Sequence, residues 1–252
     1  MVIGLHAELD TGIAMNLMLG DCLERMKEIP DGSVDMILAD PPYGTTACKW
    51  DSVIPLDKMW EQLKRIIKPN GAIVMTASQP FTSLLITSNI KMFHHQWVWD
   101  KKFAANFPQA KRQPLRVHED ILVFGITPKY YPQMLERDVP IRKGANKGAR
   151  VFGGISGLCR EDYEGKVYDK KYPDTILKFS SRAEKRGLHP TQKPVALMEY
   201  LIKTYTNENE TVLDFCMGSG STIVAAKNLN RRAIGIEKDA GYFEIAKQRL
   251  GV

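Results

Sequence analysis

The run Val34-Asp35-Met36-Ile37-Leu38-Ala39, apolar apart from Asp35, ends in Asp40-Pro41-Pro42-Tyr43. That junction limits the fold more than any other part of the chain. A short apolar run of this kind reads as a strand buried on both faces, the sort found in parallel sheets covered by helices. In open α/β sheets, ligands bind outside the carboxyl ends of such strands. Two successive prolines remove two backbone donors and force an extended turn, which leaves carbonyls available as acceptors. A carboxylate, a carbonyl and an aromatic face therefore meet at one sheet edge. An amino group on a flat ring suits that set, with two acceptors for its protons and a π surface for the ring. A plain proline turn with a packed tyrosine would use the same four residues, so a second feature has to decide.

That feature is Thr211-Val212-Leu213-Asp214-Phe215-Cys216-Met217-Gly218-Ser219-Gly220-Ser221-Thr222, a strand, a glycine-rich turn and a helix start. Glycines permit tight backbone geometry and close ligand approach, and Ser221 or Thr222 can cap the helix that follows. The next apolar run, Arg232 to Glu237, ends in an acid about 20 residues after the first glycine, the spacing of a ribose-hydroxyl acceptor. The lysine of a phosphate-cradling loop and the third glycine of the dinucleotide fingerprint are both absent. The missing glycine weakens a nicotinamide oxidoreductase reading. A nucleoside without pyrophosphate fits better, and S-adenosylmethionine is the candidate.

With both motifs in this order, the chain resembles the DNA amino-methyltransferases, which methylate the exocyclic nitrogen of adenine or cytosine. The order is that of the class whose Asp-Pro-Pro-Tyr precedes the target-recognition region and whose glycine loop comes last. Leu19-Gly20-Asp21-Cys22 resembles the family's acidic strand end at the cofactor adenine. His189-Pro190-Thr191-Gln192-Lys193-Pro194 resembles the motif that holds the methionine part of the cofactor, and His118 to Phe124 a strand beside the base pocket. The family's glycine loop usually reads Asp-Pro-Phe-x-Gly-Ser-Gly, whereas here Phe215 and Cys216 stand in the Pro and Phe places.

The resemblance implies a doubly wound, mostly parallel α/β sheet of Rossmann-like form, with residues 1–128 and 188–252 as catalytic domain and 129–187 as an inserted, loop-rich target-recognition lobe. It implies a site-specific enzyme that methylates adenine N6 on a flipped-out base. Cytosine N4 is the alternative, with RNA or protein glutamine as more distant substrates. Asp40 and the Pro41 carbonyl would accept the amino protons, with Pro42 shaping the turn and Tyr43 stacking on the base. Asp21, Cys22, His189, Thr191, Gln192, Lys193, Asp214, Phe215, Gly218, Ser219, Gly220, Ser221, Glu237 and Lys238 would hold S-adenosylmethionine. Glu237 and Asp21 would meet the ribose and adenine, and Lys193 with its helix start the methionine carboxylate. Double-stranded DNA is the implied partner. The recognised site, a homodimer and a cognate restriction endonuclease are left open.

Composition agrees. The 252 residues are 44% hydrophobic and 25% charged, ordinary for a globular protein. No apolar stretch approaches a membrane span, no secretory leader pattern opens the chain, and four scattered cysteines lack CxxC spacing, so cytoplasm is the expected compartment. His94-His95, adjacent on a strand, should point to opposite faces and hold no metal. Residues 129–187 carry 14 Lys/Arg against 8 Asp/Glu, while 1–128 carry 13 against 14. That placement suits phosphate contact by the middle segment. Lys101 to Phe107 with Lys111-Arg112-Gln113 interleaves cations and aromatics, and Thr45 to Asp51 would overhang the pocket. A turn at Lys68-Pro69-Asn70-Gly71 is predicted before a strand from Ala72.

Overall fold

The computed structural model describes residues 14–45, 52–104, 106–143, 166–181 and 192–252, and the backbone of residues 7–8. His189 and Thr191 lie outside the described residues, as do Cys48, Cys159 and residues 46–51 of the expected overhang. The chain divides into two compact units, Met1–Tyr131 with Thr175–Val252, and Pro132–Asp174.

The described strands are β1 (Ala7–Glu8), β2 (Ala14–Leu19), β3 (Val34–Ala39), β4 (Ile67–Ala77), β5 (Phe93–Asp100) and β6 (His118–Phe124). They continue with β7 (Leu135–Lys143), β8 (Lys166–Lys171), β9 (Ile176–Lys178), β10 (Thr211–Asp214) and β11 (Arg232–Glu237). The helices are α1 (Cys22–Arg25), α2 (Leu56–Ile66), α3 (Phe81–Ser88), α4 (Val195–Tyr205), α5 (Ser221–Asn228) and α6 (Ala240–Leu250).

In the larger unit one sheet runs in the order β1-β2-β11-β10-β3-β4-β6-β5-β9. β2, β11, β10, β3 and β4 are mutually parallel, as are β5 and β9, while β6 is antiparallel to both its neighbours. This is the expected α/β architecture with a mostly parallel centre. The pleat divides the core in two. Met36 and Leu38 face a layer with Leu197, Leu201 and Tyr205 of α4, Ile223 of α5 and Leu250 of α6. Ile37 and Ala39 face the other layer, with Met59, Trp60, Leu63 and Ile66 of α2 and Phe81 and Leu85 of α3. A strand covered on both faces must be apolar on both, which explains the unbroken run at β3.

Asp35 interrupts that run, and its burial at 3% exposure is compensated. Lys68 Nζ lies 2.7 Å from Oδ1, and the Thr211 amide donates to Oδ2 at 3.0 Å, tying β3 to β10 and β4. Lys68 reaches it because the expected turn is not a separate element. Ile67 pairs with Val34 and Ala72 with Met36, so Lys68 to Gly71 form an excursion within β4.

A bulge also corrects the reading of His94 and His95. Pairing of β5 with β6 shifts between Phe93 and His95, which upsets strict alternation. The two rings lie on the same side, with Nδ1 atoms 2.7 Å apart. Among the described residues no cluster could hold a metal ion.

In the smaller unit β7 and β8 pair antiparallel with an irregular register. β9, inside the segment expected to form the lobe, instead joins the main sheet beside β5.

Candidate active site

Four adjacent parallel strands each end in an acid at the same sheet edge. Asp21 follows β2, Glu237 closes β11, Asp214 closes β10 and Asp40 follows β3. The register sets them side by side, with Leu19 opposite Glu237, Asp214 opposite Gly235 and Leu213 opposite Ile37. β3 and β10, far apart in sequence, are neighbours in space. The two motifs therefore end at the same edge of the sheet.

On the Asp40 side, Oδ1 accepts hydrogen bonds from the Tyr43 hydroxyl at 2.8 Å and from the Thr76 hydroxyl. Oδ2 is held by Lys193 Nζ at 2.5 Å. Lys193 also lies 3.6 Å from Glu119 Oε2, and Lys101 lies 3.0 Å from Glu119 Oε1. Lys193 and Lys101 are 9% and 8% exposed, so the site holds an alternating row of largely desolvated charges. Burial disfavours the Lys193 ammonium, but Asp40 and Glu119 outweigh it and hold its pKa above the ordinary lysine value. Tyr43 stacks on Phe81 with centroids 5.3 Å apart, and burial together with Asp40 and Glu119 pushes its phenol well above the ordinary range. Among the described residues no donor pairs with the Pro41 carbonyl.

On the glycine side, Gly218 and Gly220 take φ of 51° and 80°, a region costly for other residues. The Gly218 amide donates to Glu237 Oε2 at 2.9 Å and the Asp239 amide to Oε1 at 2.8 Å, so each oxygen keeps a lone pair. Asp214 is buried and accepts from the Cys216 amide at 3.0 Å. Its pKa rises to about 7: burial is the main cause, hydrogen bonds from Thr222 and Cys216 oppose it, and the charges of Asp40 and Glu237 add to it. Asp21 caps α1 through Leu23 N at 3.0 Å and meets Lys238 Nζ at 3.2 Å. The Cys22 thiol, hydrogen-bonded by that of Cys216, is held below its ordinary pKa.

Several residues named from the sequence have neighbours that their motifs did not suggest. Lys193, expected at the methionine carboxylate, pairs with Asp40. Phe215 is 1% exposed, its side chain packed in the α2–α3 core layer. Ser221 and Thr222 do not cap α5, whose cap is Gly220. The Ser221 hydroxyl instead accepts from Arg249 Nη1 at 2.9 Å. Gln192 and Ser219 lie in the described parts of their motifs, and Ser219 is buried. Thr76, on β4, and Phe81, at the start of α3, were missed, because no local motif records that they lie beside Tyr43.

Comparison with known proteins gives a consistent picture. The family model for N6/N4 methylases, described as DNA methylase, matches residues 34–248. Type II methyltransferase M.HpaI from Haemophilus parainfluenzae is 28% identical over 93% of this chain and 73% of its own length. A crystal structure of the M1.HpyAVI–SAM complex superposes with TM-score 0.62 at 27% identity, covering 93% of this chain and 99% of that one. The cytosine-N4-specific PvuII DNA methyltransferase shares the fold, with TM-score 0.66 at 15% identity over 93% and 86% of the two chains.

Proposed function

The chain belongs to the N6/N4 family of DNA methylases, and on that footing we propose that it is a site-specific DNA methyltransferase that moves a methyl group from S-adenosylmethionine to adenine N6. The observation that carries this reading is the row of four acids at adjacent strand ends, with Asp40 beside the glycine-loop side.

The residues present fit the cofactor. A ligand cationic at sulfur and amino group suits an acid-lined edge, and the spare lone pairs on Glu237 suit ribose hydroxyls. Asp21, Cys22, Asp214, Gly218, Gly220 and Glu237 would line it. When bound, S-adenosylmethionine supplies a methyl group already activated by its positive sulfur.

The chain's own part is to extract, hold and polarise the target base. A base inside a duplex must be flipped out, at a cost of about a few kcal/mol in stacking and pairing. Asp40 Oδ2 and the Pro41 carbonyl accept the two amino protons, which draws the nitrogen lone pair out of conjugation with the ring. Asp40 then stabilises positive charge developing on that nitrogen. Thr76 and the Tyr43 hydroxyl fix the carboxylate from its other oxygen, so it need not reorganise during transfer. The unit Pro132–Asp174 is assigned to target recognition.

Adenine is preferred because Asp stands first in the Asp-Pro-Pro-Tyr tetrapeptide; a serine there is the pattern associated with cytosine. Cytosine N4 is the second reading, favoured by the shared fold with the PvuII enzyme. Incubation with S-adenosylmethionine and unmethylated DNA, followed by nucleoside mass spectrometry, decides. N6-methyldeoxyadenosine is expected, and N4-methyldeoxycytidine would overturn the choice of base. Absence of both would overturn the activity.

A further inference from the structure

The loop that joins β5 to β6, residues 101–117, contains Lys101, Lys102, Lys111, Arg112 and Arg116 and no acidic residue. The unit Pro132–Asp174, by contrast, carries nine Lys/Arg against seven Asp/Glu. Uncompensated positive charge is thus densest on the larger unit. Lys101 is buried against Glu119 at the root of the loop. Lys102, Lys111, Arg112 and Arg116 are exposed, and among the described residues none of them has an acidic ion-pair partner.

The sheet fixes where this loop emerges. β6 runs antiparallel to β4 and β5 antiparallel to β6, with Ala77 opposite Asp120 and Asp100 opposite His118. The end of β5 and the start of β6 therefore lie at the edge where β3 delivers Asp40. A chain of ion pairs joins them: Lys101 to Glu119 at 3.0 Å, Glu119 to Lys193 at 3.6 Å, and Lys193 to Asp40 at 2.5 Å.

The loop is also braced. The Lys101 amide donates to the Val117 carbonyl at 2.8 Å. Asn106, 7% exposed, donates to the Pro114 carbonyl at 3.1 Å and accepts from the Arg116 amide at 2.7 Å. Beyond this clamp the helical turn Phe107–Gln109 leaves Phe107 74% exposed. A solvated cationic loop has no need of an aromatic ring held in water, where its apolar area costs about 25 cal/mol per Å².

Resting on the reading that the substrate is DNA, we propose that this loop is a second DNA-contacting element. Lys102, Lys111, Arg112 and Arg116 take phosphates next to the target nucleotide, and Phe107 stacks on a base uncovered when the target leaves the helix. The charge calls for a polyanion, and the aromatic tip for one with exposed base faces.

The test uses the full chain and fluorescein-labelled duplexes of random sequence, fully paired or with one unpaired base, titrated by anisotropy at several salt concentrations. Lys111→Ala/Arg112→Ala/Arg116→Ala should flatten the slope of log K against log salt by about 0.9 for each phosphate that is no longer neutralised. Phe107→Ala should leave the slope intact and weaken binding to the unpaired duplex by about tenfold, with less effect on the paired one. Calorimetric binding of S-adenosylmethionine should be unchanged in both variants, showing that they fold. Variants that bind DNA with wild-type slope and affinity would overturn the loop assignment alone. A wild-type protein that binds S-adenosylmethionine but neither duplex would overturn the DNA reading beneath it.

Discussion

Lys193 places its ammonium 2.5 Å from Asp40 Oδ2 across 153 residues of sequence. The motif that contains Lys193 suggests contact with the cofactor's carboxylate, but its position ties it to the carboxylate proposed to receive the target amine. The two roles separate kinetically. Lys193→Met leaves Asp40 without its counter-charge, while Glu119 keeps Lys101. Losing one partner of a fully buried pair costs about 3–5 kcal/mol, and Asp40 is partly exposed, so a loss of about 2–3 kcal/mol is expected. The variant should lose at least about tenfold in kcat with KM for S-adenosylmethionine little altered. A large rise in that KM at constant kcat would return Lys193 to the cofactor.

Asp214 makes a pH-dependent contribution of unusual sign. Its folded pKa of about 7 lies above the ordinary aspartate value near 4, so between those limits the folded protein binds a proton that the unfolded chain releases. Stability from this group is present at low pH and is lost as pH rises from about 4 through about 7. Asp214→Asn removes the titration while keeping a polar group at the site. Melting temperature against pH should therefore fall less steeply over that window in the variant. Parallel curves for the two proteins would sink the assignment.

The strands and helices were legible because apolar periodicity and burial coincide. Val34–Ala39 and Thr211–Asp214 could be read as strands that end at ligand-binding turns. The errors came where pairing overrode local chemistry. Pro69-Asn70-Gly71 has turn residues, yet β3 recruits both flanks of that segment and absorbs it as an excursion. The α5 cap went to Gly220 because its positive φ ends the loop without a side-chain acceptor. Thr76 reaches Asp40 only because β4 lies beside β3. No spacing in the chain encodes that neighbourhood.

Tyr43 has two separable functions in the site. Its ring packs on Phe81, while its hydroxyl bonds Asp40 at 2.8 Å and Thr76 at 2.9 Å. Tyr43→Phe keeps the ring and removes a hydrogen bond to a charged acceptor, worth about 1.5–3 kcal/mol. We expect kcat to fall by about tenfold or more, with cofactor affinity unchanged. Because the phenol titrates well above its ordinary range, wild type should show no alkaline loss of rate from this group below pH of about 10. Wild-type kcat in the Phe variant would show that the hydroxyl does not steady Asp40.

Asp35 and Asp40 lie on one strand and its exit, and the proposed activity gives them opposite roles. Asp35 is enclosed by Lys68 and the Thr211 amide, with Lys129 at 3.9 Å, near the start of β3 and away from the strand end that carries Asp40. Asp35→Ala would leave a partly buried ammonium and an amide without their acceptor, and should destabilise the fold by about 3 kcal/mol. Below its lowered melting temperature, the variant should retain near wild-type turnover. Asp40→Ala should do the reverse, abolishing methyl transfer while leaving S-adenosylmethionine binding largely intact. Denaturant titration and a methylation assay on the two proteins make the comparison. Turnover lost in the first variant at full stability, or kept in the second, would contradict the division between structural and catalytic carboxylate.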